Sequence, residues 1–475
     1  MEVLHPCPRI QDVLDHVSCV RRFLLAGVLG VLAIAPVSGA AASGAWTTPQ
    51  VLSTRTVSGT PTLAFDARGW AFSTWPSAGE HQQSASRPPS AVAFRPHRVT
   101  PYPGEETVES APPAPVVDDS GEVIALQERR GRDTCGLATL VTLTPRFGRV
   151  NGAFARARGG WTISSHTLPA AAALGGNARG AAVVAWMQIQ RGPHGCIPKE
   201  LVRVAVRAPG GKFGTPMTLA HAASAGAIAA SVGQDGAVLV AWRYQRTIQM
   251  RLRSPAGVWG PVRSVRTGPL QTFAAALGTN DATYLIWTHT EAMGPPEAGR
   301  IVGGAVCEAR STRCDTTVLE RGTWPVPDEG GLEPEQFAVR LAFVRGGVMA
   351  AWNGWAGGHP LVRTAVATGS SFGPARPATP TGQAFVLGAL AVSPAGRPAL
   401  ALEAAGVPVR AATGPFVAFG SPDGVFGLPE AVGSGSRRAE GEALAFSPVT
   451  GRPTLVWKAY DEALFSRSVL ASTGP

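Results

Sequence analysis

Three arginines, Arg129, Arg130 and Arg132, stand together in the chain beside Asp133 and Cys135. Guanidinium forks at that density suit bidentate capture of a carboxylate, sulfate or phosphate, although an arginine run is also common on a solvated turn. Trp355 lies between glycine-rich neighbours close to His359. It can stack on a sugar ring or a peptide side chain, or plug the end of a scaffold by packing. Tyr244 and Tyr460 each follow just beyond a tryptophan, Trp242 and Trp457, and Asp461 and Glu462 adjoin the second. Glu80, His81, His289 and Glu291 are of types that serve acid–base or metal chemistry. None of them has a ligand spacing such as H-x-x-x-H, so no metal site is expected. No nucleophile elbow, phosphate loop or metalloprotease helix occurs, and no cofactor is expected. Arg129, Arg130, Arg132, Tyr244, Trp355 and Tyr460 are therefore the candidate ligand-binding residues.

The scaffold that must position them is written in composition and repetition. Of 475 residues, 45% are hydrophobic and only 16% charged, which excludes intrinsic disorder and provides for a large core. Gly 57 and Pro 41 are poor material for long helices and suit short strands joined by turns. Eight segments resemble one another: PTLAFDARGWAFSTW, APVVDDSGEVIALQ, AAALGGNARGAAVVAW, IAASVGQDGAVLVAW, AAALGTNDATYLIW, VRLAFVRGGVMAAW, GALAVSPAGRPALAL and EALAFSPVTGRPTLVW. Each reads as a β-hairpin, with small and apolar residues leading into a turn and a large residue closing the second strand. The closing residues are Trp75, Gln127, Trp186, Trp242, Trp287, Trp352, Leu402 and Trp457, separated by 45 to 65 residues. That is the period of a four-stranded propeller blade.

A second hairpin lies between successive closing residues, clearest in VRVAVRAPGGKFGTPMTL and IQMRLRSPAGVWGPVRSV. Its aromatic recurs as Trp46, Trp161, Phe213, Trp259, Trp324, Phe372 and Phe426, which assigns ten of the twelve tryptophans to blade core and leaves Trp70 and Trp355. The 18 residues after Trp457 and the 32 from Ser43 to Trp75 together make one period. The strand in ALFSRSVLAS is therefore expected to pair with AWTTPQVLS and close the ring, which removes exposed sheet edges. The expectation is an all-β, closed propeller of eight four-stranded antiparallel blades, in a single domain over residues 43–475. Seven blades follow if the repeat ending at Gln127 is incomplete, and an open β-solenoid is the other architecture weighed.

The turn SPAGVWG and its relative SPDGVFG, Ser421 to Gly427, resemble the Asp-box turn of sialidase-like propellers, with Asp423 as the acidic residue. The resemblance implies that this hairpin supplies the two outer strands of a blade and that a ligand site lies on the opposite face. It also implies an alternative to non-catalytic binding, a glycoside hydrolase or lyase needing three converging arginines, a tyrosine nucleophile with a glutamate partner, and an aspartate acid. Turns alternate between the two ends of an up-and-down blade, so the glycine turns of both hairpins share one end. The longer polar connections share the other, as do the six candidate residues. Binding residues concentrate on such connections.

Compartment is read from the N-terminus and the cysteines. Arg21 and Arg22 precede the apolar run Phe23 to Val37 and an alanine-rich tail. A signal peptide over residues 1–42 is expected, cleaved before Ser43, because the run is too short to span a bilayer; a retained anchor is the alternative. Cys135, Cys196, Cys307 and Cys314 then remain, an even number that reads in an exported protein as two disulfides. Cys307–Cys314 brackets one tight turn, and Cys135–Cys196 joins loops of adjacent blades. The net charge of +10 is almost wholly arginine, scattered rather than clustered with aromatics, which argues against nucleic acid. The expected protein is a secreted or cell-surface monomer that binds an extracellular glycan, polymer or protein.

Overall fold

Asp and Asn side chains fold the first hairpin of a blade. Asn177 Oδ1 accepts from the backbone N–H of Arg179 and of Ala181, both at 3.1 Å, and Asp66 Oδ1 does the same for Arg68 (3.0 Å) and Trp70 (2.8 Å). A short acceptor side chain thus occupies the inside of the turn. The chain can reverse there because Gly180 takes φ 84°, a conformation open to glycine and strained for other residues.

Among the described residues thirty-three strands make eight antiparallel sheets in the computed structural model. The structure describes residues 45–475 except 54–56, 58, 78–80, 98–99, 102–113, 133–138, 153–160, 166–170, 191–198, 223–226, 292–296, 310–312, 326–336, 357, 406–413, 434–437 and 462–465. Blade 1 holds Thr62–Phe65, Ala71–Ser77, His81–Arg87 and Arg95–Pro96, and takes the short strand Thr100–Pro101 against its third strand. Blade 2 holds Val116–Val117, Glu122–Arg132, Thr139–Arg149 and Trp161–Ser165. Blades 3 and 4 begin at Ala172–Gly176 and Ile228–Val232, blades 5 and 6 at Leu270–Leu277 and Val339–Val344, and blade 7 at Phe385–Val392. Blade 8 is assembled from both ends of the chain, Arg438–Phe446, Pro453–Asp461 and Ser466–Thr473 with Gln50–Val51. Gln50 pairs with Ala471 and Val51 with Leu470.

The first strand of every blade touches the first strand of the next, and that of blade 8 touches that of blade 1. The result is the expected closed eight-bladed propeller, with first strands around the axis. Every blade order runs first, second, third, fourth, so the short glycine turns lie at one end of the ring, here the turn end. The connections between second and third strands, and between blades, lie at the loop end. The repeat ending at Gln127 is a full blade despite lacking a tryptophan.

The closing residues are the core. Trp75, Trp186, Trp242 and Trp352 are among the largest fully buried side chains, and each seals the space between neighbouring sheets at roughly 25 cal/mol for each Å² of apolar surface removed from water. Gly303 lies directly across from Trp287, where any side chain would collide with the indole. Trp70 packs against the cluster of Phe72, Val123 and Val150. Two aromatics depart from the expected pattern. Phe213, Trp259, Phe372 and Phe426 each bridge back to the end of the third strand just past the turn, whereas Trp161 lies further along its strand and stacks on Trp186 of the next blade at 5.0 Å. Trp324 stands at the far end of its strand, opposite Ala298, because blade 5 has extended outer strands.

The turns of SPAGVWG and SPDGVFG connect third and fourth strands, as the Asp-box resemblance implies. The Ser421 amide donates to Val425 O at 2.8 Å, the Gly424 amide donates to Ser421 O at 2.9 Å, and the Ser421 hydroxyl binds Asp423. Cys307 and Cys314 form a disulfide across the blade 5 turn. Cys135 and Cys196 lie outside the described residues, as do residues 1–44.

Candidate functional site

Each of the six sequence candidates lies toward the end of a second strand that runs to the loop end. Arg129, Arg130 and Arg132 belong to blade 2, Tyr244 to blade 4, Trp355 to blade 6 and Tyr460 to blade 8. They therefore stand on alternate blades, distributed around the ring rather than gathered at one point. The three arginines pair in register with Thr142, Val141 and Thr139, and their side chains lie outside the described residues. Tyr244 is half-buried against the core of blades 3 and 4, and its carbonyl accepts the Thr247 hydroxyl at 2.8 Å to close a two-residue turn. Tyr460 lies under the Arg467 guanidinium, 5.6 Å from its ring centre. Trp355 is half-buried and pairs with Pro360.

A more concentrated arrangement sits at the loop end of the axis. Across the ring, the position opposite the residue before the closing one is Thr62, Ala173, Ala229, Ala274, Ala389 or Ala443. In blade 6 the same position is Arg340, opposite Ala351. Five alanines and a threonine show what the packing asks for, so a long cation there breaks the local rule, which is where function is expected to show. Arg340 donates to Gly388 O of blade 7 and to Val339 O, both at 3.1 Å. Those two bonds leave most of the five guanidinium donors for other partners. Arg340 packs against the backbone of blade 7 and keeps an exposed surface. The surrounding protein strips water from the guanidinium and pushes it below its ordinary range, with Glu442 pulling the other way. The Glu442 carboxylate is buried against Gly388, where any side chain would collide with it. Bulges at Gly388 and at Gly441–Glu442 interrupt the first strands of blades 7 and 8 at this level, which bends these strands locally.

Blades 5 and 6 also meet through Glu320 of the fourth strand of blade 5. Its carboxylate accepts Trp352 Nε1 on one oxygen and lies 3.2 Å from Arg363 Nε on the other. Arg300, 5% exposed, adds a third cation. Burial lowers Arg300 to about 10, Glu320 opposes that shift, and the guanidinium lies 5.6 Å from the Phe337 ring centre. Toward the surface, Arg321 pairs with Glu291 at 3.2 Å. Next to this pair burial holds His289 below the usual histidine range, Glu291 opposing and Arg321 reinforcing. Of this set the sequence reading singled out His289 and Glu291 and passed over Arg300, Glu320, Arg340 and Glu442. Arg340 was visible as the only arginine at its place in the repeat, VRLAF against AAALG.

No protein-family model and no curated protein sequence matches the chain. Among solved structures it is similar to the polysaccharide lyase Uly1, at 9% identity over 93% of this chain and 94% of that one, with a TM-score of 0.45. A PL25 ulvan lyase bound to -[GlcA(1-4)Rha3S]- matches at 11% identity over 81% and 96%, with a TM-score of 0.44. The NanB sialidase of Streptococcus pneumoniae matches at 9% identity over 90% and 70%, with a TM-score of 0.35. These likenesses concern the fold alone, and sialidase propellers stand among them.

Proposed function

We propose that the protein is exported and binds an acidic glycan-type polymer at the loop end of the ring without cleaving it. Arg340 is the observation that carries the reading: a cation on the innermost strand of blade 6, in a position where sister blades hold alanine or threonine, with donors to spare. A carboxylate or sulfate on the polymer would take those donors in bidentate fashion. Arg129, Arg130, Arg132, Trp355, Tyr244 and Tyr460, spread around the same end, would extend contact along a chain longer than one sugar. Export is supported by the apolar segment at residues 23–37 and by the Cys307–Cys314 disulfide. Among the described residues no helix is long and apolar enough to cross a membrane.

The test is binding of polygalacturonate and heparin against neutral dextran, with Arg340→Ala. Loss of one charge-assisted contact worth about 1.5 kcal/mol predicts affinity for the acidic polymers roughly tenfold weaker, with the melting temperature held. Equal binding of dextran, or full affinity in the variant, would overturn the proposal. His289, its pKa lowered by burial with Glu291 two residues away opposing, favours a second reading, a hydrolase or lyase. New reducing ends released from the bound polymer would select it.

A further inference from the structure

Besides Arg149 of blade 2, arginine ends the third strand at the turn end in three blades, Arg87, Arg207 and Arg253, each paired across to the start of its second strand at Ala71, Ala182 and Val238. Two of the three are satisfied by the preceding blade. Arg87 donates to the hydroxyls of Thr473 and Thr454 of blade 8. Arg207 donates to Glu122 Oε2 of blade 2 at 2.5 Å, lies 5.2 Å from the Phe147 ring centre, and also binds Gly180 O and Gly211 O. Arg253 lines a cleft shared with blade 3, where, counting back from the closing residue, Ala181 takes the place of Glu122 and Val206, paired with Val183, that of Phe147, paired with Ile124. The acid and the ring are both missing, and the cleft, of about 430 Å³, stands in their place, lined by Ala181, Val206 and Arg253.

Arg179 and Lys212 stand at its exposed edge and Asp235 on the blade 4 side. Asp235 Oδ1 accepts the Ala237 amide at 3.0 Å. Among the described residues, no side-chain hydrogen bond or ion pair is made by Arg179, Lys212 or Arg253. The Arg253 guanidinium rests over Gly257, where a Cβ would lie 2.9 Å from Nη2. Three unpaired cations converge on a space of the size that takes a small ligand, with Pro209 and Pro255 as apolar wall.

We infer that the cleft between blades 3 and 4 is a binding site for a small oxyanion-bearing sugar, a sugar carboxylate or sugar sulfate. Arg253 grips the anionic group, Arg179 and Lys212 close over it, and the prolines meet the face of the ring. The site lies at the turn end, apart from Arg340 and from the six loop-end residues.

Calorimetric titration with glucuronate, glucose 6-sulfate, inorganic sulfate and glucose tests it. Glucuronate or glucose 6-sulfate should bind, whichever is tighter naming the preferred anion, and glucose should not. Ala181→Glu restores to Arg253 the acid its sister Arg207 has, and should weaken binding at least tenfold without lowering the melting temperature. Arg253→Gln should weaken it similarly, while Arg253→Lys retains part, and neither should alter polymer binding at the loop end. Unchanged affinity in both Ala181→Glu and Arg253→Gln, or glucose binding as well as the acids, would overturn the inference. So would inorganic sulfate matching the sugars, which would mean an adventitious ion only.

Discussion

The seam between blades 2 and 3 and the seam between blades 5 and 6 use the same buried tryptophan position and differ in how they place charge. In the first, Arg207 meets Glu122 at the turn end, with the acid 26% exposed and two carbonyls also serving the arginine. In the second, Glu320 sits at mid-depth, 17% exposed, and serves Trp352, Arg363 and the field of Arg300 at once. The apolar repeat is common to all blades, and what makes one seam unlike another is a few charged side chains that only pair across it.

Removing the acid from each seam should expose the difference most strongly. Glu320→Ala leaves the Arg363 guanidinium and an indole N–H without their partner and buried Arg300 without its opposing charge, and should cost about 3 kcal/mol or more, whereas Glu122→Ala, near water and with carbonyls left for Arg207, should cost about 1 kcal/mol. Chemical unfolding of both variants measures the contrast, and equal losses would show that depth in the seam is not what matters. A smaller effect is expected at the neighbouring seam of blades 4 and 5. There Arg263 reaches the carbonyls of Glu308 and Ala309, inside the turn that Cys307–Cys314 closes. Replacing both cysteines with alanine frees a short loop in the unfolded chain and should cost about 2 kcal/mol. An unaltered unfolding midpoint would mean the turn is held by its strands alone.

The mildest effect separates the charged seam from the rest by pH. Burial lowers His289 beside Glu291 and Arg321, and burial also lowers His97, which shares a hydrogen bond with Ser86 Oγ on blade 1. A depressed histidine binds fewer protons folded than unfolded. Its contribution is whole above about pH 6.5 and is lost as pH falls through the folded values. Melting temperatures taken downward from pH 7 should fall, and His289→Gln with His97→Gln should flatten that acid limb. A limb of unchanged slope in the double variant would assign the loss to carboxylates instead.

The blades were legible because their signals are local. A glycine turn and a closing tryptophan recur within each hairpin, so even the repeat ending at Gln127 could be counted, and closure followed from the lengths at both ends. Seams are not local. Arg207 and Arg253 hold equivalent places in equivalent strands, and only the preceding blade, with Glu122 in one case and Ala181 in the other, decides which is neutralised. Arg340 was hidden differently, since a search for likeness passes over the single position that breaks it. Trp324 was assigned by spacing, and the extension of the blade 5 strands, which spacing does not reveal, carried it to the other end.

Blade 8 joins Thr47 to Ser472 across a sequence separation of 425 residues. Seven sheets can form as they are made, but the eighth has to wait for the strand at Ser466–Thr473 to meet one synthesised near the beginning. Bringing such distant segments together carries a chain-entropy cost of a few kcal/mol that grows only slowly with length. Until then the ring is an open arc with two raw edges, vulnerable to pairing with a second copy. Quality control of this molecule therefore falls at a single late moment, the latching of its first strand onto its last.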